Sequence, residues 1–328
     1  SFASTQVSDN PDASNFIEHL KSKSFLAYNQ KFYDIIGKNP KLEEIASADY
    51  SFAHEGGAYI AELNELFFSS NRLDNNTIIE INKINLSTKK VSTVTPKDPI
   101  LFANGMCSYK GKVIICSQGE KDIGGSIVSL DPISNKVTTI VDNFFGLKFN
   151  SPNDVIVSKD GSYWFTDPSY GSEQEFRDAP QLGNNVYRFN PKTGNIRVVA
   201  DGFIKPNGIA FSPDEKTLYI TDTGFFNGTG GFDPKRPHAI YAFDVDGSIL
   251  SNRRLIAVSD VGIPDGIKLD YEGNLYVGCG DGVQVFDKSG TLLGKIVIPK
   301  GVANLALVKS TLIAFAETTI YSVKLKVK

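Results

Sequence analysis

SPNDVIVSKDGSYWFTD at Ser151–Asp167, KPNGIAFSPDEKTLYITD at Lys205–Asp222 and IPDGIKLDYEGNLYVGCG at Ile263–Gly280 are one pattern written three times. Each opens on a proline followed by Asn or Asp, runs into alternating apolar residues, turns through a polar stretch and ends in an aromatic-rich run. Period-two alternation bounded by turn residues is the signature of an antiparallel hairpin. Looser copies start at Ala53 (AHEGGAYIAELNELFFSS), Phe102 (FANGMCSYKGKVIICSQG) and Gly301 (GVANLALVKSTLIAFAET). A second hairpin follows most copies, from Ile78, Ser126, Asn185, Ala239 and Gly282, with Asn, Gly, Asp or Pro at its turn, as tight hairpins require.

The equivalent positions Glu55, Asn104, Asn153, Asn207, Asp265 and Asn304 stand 49, 49, 54, 58 and 39 residues apart. Four strands recurring at about 40–50 residues make a propeller blade. The expected fold is all-β, a six-bladed β-propeller with four-stranded blades. An N-terminal strand, from Phe32–Ile36 or Leu42–Ile45, is expected to join the last blade and close the ring. Residues 1–25 read as an N-terminal extension with a short helical pattern at Asn15–Leu20, and 26–328 as a single catalytic domain.

Composition sets outer bounds. The 328 residues are 41% hydrophobic and 22% charged, with a formal net charge of -3, ordinary for a globular chain. Basic residues are scattered, which argues against nucleic-acid or membrane-surface partners. No apolar run approaches the ~18 residues of a transmembrane helix. Cys107, Cys116 and Cys279 lack zinc spacing; they read as three free thiols, with a Cys107–Cys116 bridge as the alternative. Sequons at Asn75, Asn85 and Asn227 tilt localisation slightly toward the secretory pathway.

In a propeller the inner strands line an axial channel, so equivalent entry turns deliver their side chains to one mouth. Here all six delivered side chains carry carboxylate or amide oxygen. Such a set selects a hard cation, Ca²⁺ first, with Mg²⁺ or Mn²⁺ completed by water and Zn²⁺ less suited. Asn104 and Asn304 are weaker candidates for ligation and read rather as substrate contacts or turn formers, Asn104 being the one expected at the substrate. No G-x-S-x-G is present, which disfavours a serine hydrolase.

At these residues the chain resembles the senescence marker protein/gluconolactonase/regucalcin family of metal-dependent propellers, and within it the fungal lactonohydrolases. The segments carrying the resemblance include FAHEG from Phe52, FNSPNDV from Phe149, FTDPSYG from Phe165, EFRDAP from Glu175, KPNGIAFSPD from Lys205 and IPDGIKLD from Ile263. It implies that Glu55, Asn153, Asn207 and Asp265 are the metal ligands. It further implies a hydrolase opening small hydroxylated lactones, of aldonolactone or pantolactone type, to hydroxy acids. A paraoxonase-type organophosphate or aryl ester hydrolase and a non-enzymatic calcium-binding propeller are the alternatives. One departure is Ser151, where an aldonolactonase subgroup carries Arg.

Lactone hydrolysis needs a polarised carbonyl, an activated water and a proton for the ring oxygen. Asp265 is the first candidate for the base and Glu55 the second, with His54 as a proton shuttle. Asp154 reads either as a ligand to a second calcium or as a turn cap. Asp167 and Asp222, at matching blade positions, read as structural. Tyr170, Phe176, Arg177 and Phe225 lie in loops that wall the expected mouth, with Tyr170 and Arg177 as substrate contacts; a surface salt bridge is the other reading of Arg177.

Overall fold

The computed structural model describes residues 24–227 and 230–327. The repeat folds as its period requires. Blade 1 is β3–β6 (Glu55–Ile60, Glu65–Ser69, Ile81–Asn85, Val91–Val94) and blade 2 is β7–β10 (Ala103–Tyr109, Lys112–Ser117, Ser126–Leu130, Val137–Val141). Blade 3 is β11–β14 (Val155–Val157, Tyr163–Asp167, Asn185–Asn190, Asn195–Ala200) and blade 4 is β15–β18 (Pro206–Phe211, Thr217–Asp222, Ala239–Asp246, Ile249–Val258). Blade 5 is β19–β22 (Ile267–Leu269, Leu275–Cys279, Gly282–Phe286, Leu292–Val297) and blade 6 begins with β23–β25 (Asn304–Val308, Thr311–Ala316, Thr319–Lys324). The chain is a six-bladed β-propeller.

One N-terminal strand closes the ring, from the segment expected around Leu42–Ile45, and a second adds to blade 5. β2 (Glu43–Ser47) pairs antiparallel with β25, Glu43 opposite Ser322 and Ser47 opposite Thr319, as the outer strand of blade 6. The alternative closing segment, Phe32–Ile36, is instead within helix α1 (Lys31–Ile36), which buries Phe32, Ile35 and Ile36. Phe32, Ile35 and Ile36 recur at helical rather than strand spacing, which is why the segment turns one face inward. β1 (Phe25–Ala27) pairs with β22, so blade 5 has five strands rather than four. This strand begins at Phe25, the last residue assigned to the expected extension; Asn15–Leu20 lies outside the described residues.

Apolar faces meet between neighbouring blades. Phe165 stacks on Tyr187 at 5.4 Å and Phe149 meets both rings edge-on at 5.2 and 5.1 Å, in a core shared with Ile114, Cys116 and Ile127 of blade 2. Phe68 of blade 1 stacks on Phe315 of blade 6 at 5.1 Å, between the first and last blades. Burying a side chain of this size stabilises by roughly 1.5–3 kcal/mol. The three cysteines are free, ruling out the Cys107–Cys116 bridge. Cys107 faces Ile114 across the β7–β8 ladder, so Cys116 is not its cross-strand partner. Among the described residues no helix is long and apolar enough to cross a membrane.

Candidate active site

The inner strands start at one end of the channel and bring the repeated turns together. A pocket of about 230 Å³ is lined by Glu55, Asn104, Asn153, Asn207 and Asp265, with His54 beside them. Asn304, the sixth repeat position, lies underneath: its Nδ2 donates to Glu55 Oε2 at 2.9 Å, while its Oδ1 accepts from Lys268 Nζ at 3.1 Å.

Contacts from blade to blade hold these turns in place. Hydroxyls at the ends of second strands donate to the next blade's site carbonyl: Ser69 to Asn104 at 3.3 Å, Thr166 to Asn207 at 2.7 Å and Thr221 to Asp265 at 2.9 Å. The glycine after the site residue allows the close approach. A Cβ on Gly105 would lie 2.4 Å from Asn153 O, one on Gly208 2.3 Å from Asp265 O, and one on Gly266 2.1 Å from Asn304 Oδ1. The Asx-Gly pair therefore has two functions: Asx reaches the axis, and Gly admits the next blade.

The axis gathers buried carboxyls and unpaired oxygens. Burial pushes the Glu55 carboxyl well above the usual range, and the charge of Asp265 adds to it. Burial likewise pushes Asp265 up to about 7. Asn153 Oδ1 and Asp265 Oδ1 are both buried without a hydrogen-bond partner among the described residues. Unpaired buried oxygens cost on the order of 1–3 kcal/mol each, and a cation would satisfy both. The described residues contain no cluster of three or more His, Cys, Asp or Glu suited to a metal, so such a site depends on the amide oxygens.

His54 carries a feature not foreseen from sequence. Its Nδ1 lies 2.5 Å from Glu317 Oε1, and Asn71 Nδ2 donates to Glu317 Oε2 at 2.9 Å. Burial lowers the His54 pKa, but the Glu317 charge and hydrogen bond outweigh this and raise it overall. Burial acts against Glu317, yet His54 and Asn71 hold its carboxyl below the usual range. A signal for Glu317 did exist. Asp167 and Asp222 end the second strands of blades 3 and 4, and Glu317 directly follows that of blade 6. The two aspartates receive backbone N–H groups of their own blade's turn, Asn150 at 2.8 Å for Asp167 and Lys205 at 2.9 Å for Asp222, as expected of structural residues. Glu317, one methylene longer, reaches blade 1 instead.

Other expected residues fall differently. Tyr170 lines the pocket, its hydroxyl bonded to Thr223 Oγ1. Arg177 does not line it: Nε and Nη2 donate to the carbonyls of Asn150 and Phe149, both at 2.9 Å, and Nη1 to that of Lys121. A planar guanidinium satisfies three converging carbonyls, so Arg177 braces the loops behind the site and is neither a substrate contact nor half of a surface salt bridge. Phe176 is buried against Phe102 at 4.2 Å, and Phe225 packs on Phe232 and His238. Ser151 Oγ donates to Pro168 O at 2.6 Å and accepts from Gly171 N at 2.9 Å, which keeps it out of the pocket. Asp154 is buried behind Asn153; its Oδ1 accepts from Val155 N at 3.0 Å, and burial raises its carboxyl pKa against the opposing Lys268 charge.

The sequence pattern of the SMP-30/Gluconolactonase/LRE-like region matches residues 53–313, which contain every site residue except Glu317. The chain belongs to this family. Lactonohydrolase oryL of Aspergillus oryzae is 33% identical over 93% of this chain and 74% of its own length. A gluconolactonase of Zymomonas mobilis is 33% identical over 59% of this chain and 54% of its own. A solved gluconolactonase from Xanthomonas campestris superposes with a TM-score of 0.75 at 28% identity, covering 91% of this chain and 94% of that one. The calcium-binding protein regucalcin from Agrobacterium tumefaciens shares the fold alone, with a TM-score of 0.65 at 16% identity over 87% of this chain and 95% of its own. As a member of the SMP-30/gluconolactonase family, the chain is a lactonase.

Proposed function

We propose that this lactonase uses a divalent cation, Ca²⁺ by preference, held by Glu55, Asn153, Asn207 and Asp265, to open small hydroxylated lactones to hydroxy acids. The observation that carries the reading is the pair of unpartnered oxygens, Asn153 Oδ1 and Asp265 Oδ1, beside two buried carboxylates. Oxygen-only donors of this kind suit calcium better than zinc. When bound, such a cation supplies Lewis acidity to a lactone carbonyl.

The chain's own residues supply the proton chemistry. Glu317 holds His54 Nδ1, which leaves Nε2 to take a proton from the attacking water; the imidazolium then returns it to the departing ring oxygen. On this reading the base is His54 rather than Asp265 or Glu55, whose carboxylates serve better as ligands. The amides of Asn104, Asn207 and Gln118 line the pocket and can hydrogen-bond ring hydroxyls. A small amide-lined pocket suits hydroxylated rings better than the bulky aryl esters or phosphotriesters of a paraoxonase-type enzyme.

Acid release from gluconolactone, galactonolactone and pantolactone tests the proposal, measured after chelation with EDTA and after adding back Ca²⁺, Mn²⁺ or Zn²⁺. The expected result is loss with EDTA and best recovery with Ca²⁺. Full turnover without metal would refute the cation's role, and no turnover on any lactone by the metal-loaded protein would refute the substrate class.

A further inference from the structure

Arg72 lines the pocket together with His54 and Glu55, and also faces the adjoining outer recess beside Gln174 and Phe226. Its backbone is fixed. Arg72 N donates to Asn71 Oδ1 at 2.8 Å, and Leu73 and Ile78 then bridge the base of the loop, Leu73 N donating to Ile78 O at 2.7 Å and Ile78 N to Leu73 O at 3.2 Å. Asp74, Asn75 and Asn76 carry the turn at φ of 50, 56 and 66°. The guanidinium thus projects from a closed hairpin, not from a loose loop.

What distinguishes Arg72 is the lack of an acceptor among the described residues. Other sheltered cations of this protein have one: Lys205 pairs with Glu173 at 2.5 Å, Lys295 with Asp260 and Asp281 at 2.7 and 2.8 Å, and Arg188 with Asp160 at 2.8 Å. No carboxylate or carbonyl among the described residues receives the Arg72 guanidinium, although burial already lowers its pKa from the ordinary guanidinium value. Of the acids at the recess, Glu173 is committed to Lys205, and Glu175, an exposed residue, makes no ion pair with Arg72. Around the pocket, Glu55 and Asp265 balance a divalent cation, and Glu317 is taken up by His54 and Asn71. The Arg72 guanidinium is thus left at the pocket with no carboxylate of its own among the described residues.

We propose that Arg72 anchors a carboxylate carried on the lactone ring, so that the preferred substrates are lactones bearing a free carboxylate. A neutral sugar lactone cannot supply this counter-charge, whereas a carboxylate matches the fork of a guanidinium through two hydrogen bonds. The reacting carbonyl then lies toward Asp265 and His54, and the anionic substituent toward the recess. This inference rests on the lactonase reading and narrows its substrate.

The test compares two lactones that differ only in charge, 5-oxotetrahydrofuran-2-carboxylate and its carboxamide, by acid release from the Ca²⁺-loaded protein. Wild type is expected to favour the carboxylate in kcat/KM by about tenfold or more, the range of a charge-assisted hydrogen-bond pair. Arg72→Gln should bring the two substrates to near equality, mainly by raising KM for the carboxylate, and Arg72→Lys should keep part of the preference. Equal rates in wild type, or a Gln variant that slows both substrates by the same factor, would overturn the proposal, because a group acting only on the transition state or the nascent product does not discriminate between them. Binding of 3-oxocyclopentane-1-carboxylate, a ring that cannot open, measured by calorimetry, separates this inference from the lactonase reading. If no lactone is opened but the ring ketone binds wild type about tenfold or more tighter than Arg72→Gln, the anion subsite stands and the hydrolytic reading fails. If gluconolactone is opened and the ketone binds both proteins alike, the reverse holds. Matching melting temperatures for wild type and variant show that both are folded.

Discussion

Replacing Gly208 by alanine tests how the site is held without touching a site side chain. The new Cβ would lie 2.3 Å from Asp265 O and 3.1 Å from both Thr221 Oγ1 and Ile267 Cγ2. A carbon and a carbonyl oxygen ordinarily approach to about 3.3 Å, so the Asp265 turn must retreat by about 1 Å. That retreat would break the 2.9 Å bond from Thr221 to Asp265 O and disturb the 2.7 Å bond from Gly208 N to Thr221. Overpacking of this kind costs about 1–3 kcal/mol, and a displaced ligand support lowers metal affinity about 10–100-fold. Calorimetric titration with Ca²⁺ and thermal melting with and without Ca²⁺ read the two effects separately. Gly247→Ala is the control: φ is +60°, and nothing lies within 4 Å of the added Cβ. It loses about 1 kcal/mol to backbone strain and should keep its full calcium response. If Gly208→Ala binds Ca²⁺ as tightly as wild type, the blade-to-blade support of Asp265 is refuted.

Further predictions address the proton chemistry, the cation and the brace. His54→Gln is expected to lower kcat about 10²–10⁴-fold while leaving Ca²⁺ binding nearly intact. Glu317 raises the His54 pKa, and the neutral imidazole is the active form, so kcat/KM should rise with pH through a limb above 6.5. Glu317→Gln should move that limb down; an unmoved limb would remove His54 from the base role. In the cation-free protein, Asp265 is pushed up to about 7, against about 3.9 in an unfolded chain. Its folded pKa is the higher one, so its contribution to stability is full below about pH 4 and is lost as pH rises through about 7. Ca²⁺ restores what is lost, so the melting-temperature gain on adding Ca²⁺ should grow from pH 5 to pH 8, and an equal gain at both would contradict the assignment. Arg177→Met should cost about 1–3 kcal/mol, because it leaves the buried Asn150 carbonyl unpaired while Phe149 O and Lys121 O keep backbone donors, with KM nearly unchanged; a large KM effect at wild-type stability would return Arg177 to the pocket.

The parts legible in sequence are those the repeat writes down. Six turns at blade spacing located the ring, and the Asx side chains heading the inner strands located the pocket, because a period-two strand fixes which way its first residue points. Contacts that depend on another blade were not legible. Glu317 stands 263 residues from the histidine it holds, and only its place at the end of a second strand links it to Asp167 and Asp222. Arg177 looked like a mouth residue because its loop follows an inner strand, but short α2 (Tyr170–Glu173) folds that loop back, with Arg177 N donating to Gly171 O at 3.1 Å, so the guanidinium meets carbonyls instead of solvent. β1 was missed because Phe25–Ala27 has only three residues, too few for periodicity to register.

The axial cation remains the claim on which the site depends most, and anomalous diffraction from crystals soaked in Mn²⁺ tests it most directly. A single strong peak within coordination distance of Glu55, Asn153, Asn207 and Asp265, absent in Asn153→Ala, is the predicted result. A peak elsewhere, or none among these four residues, would contradict it.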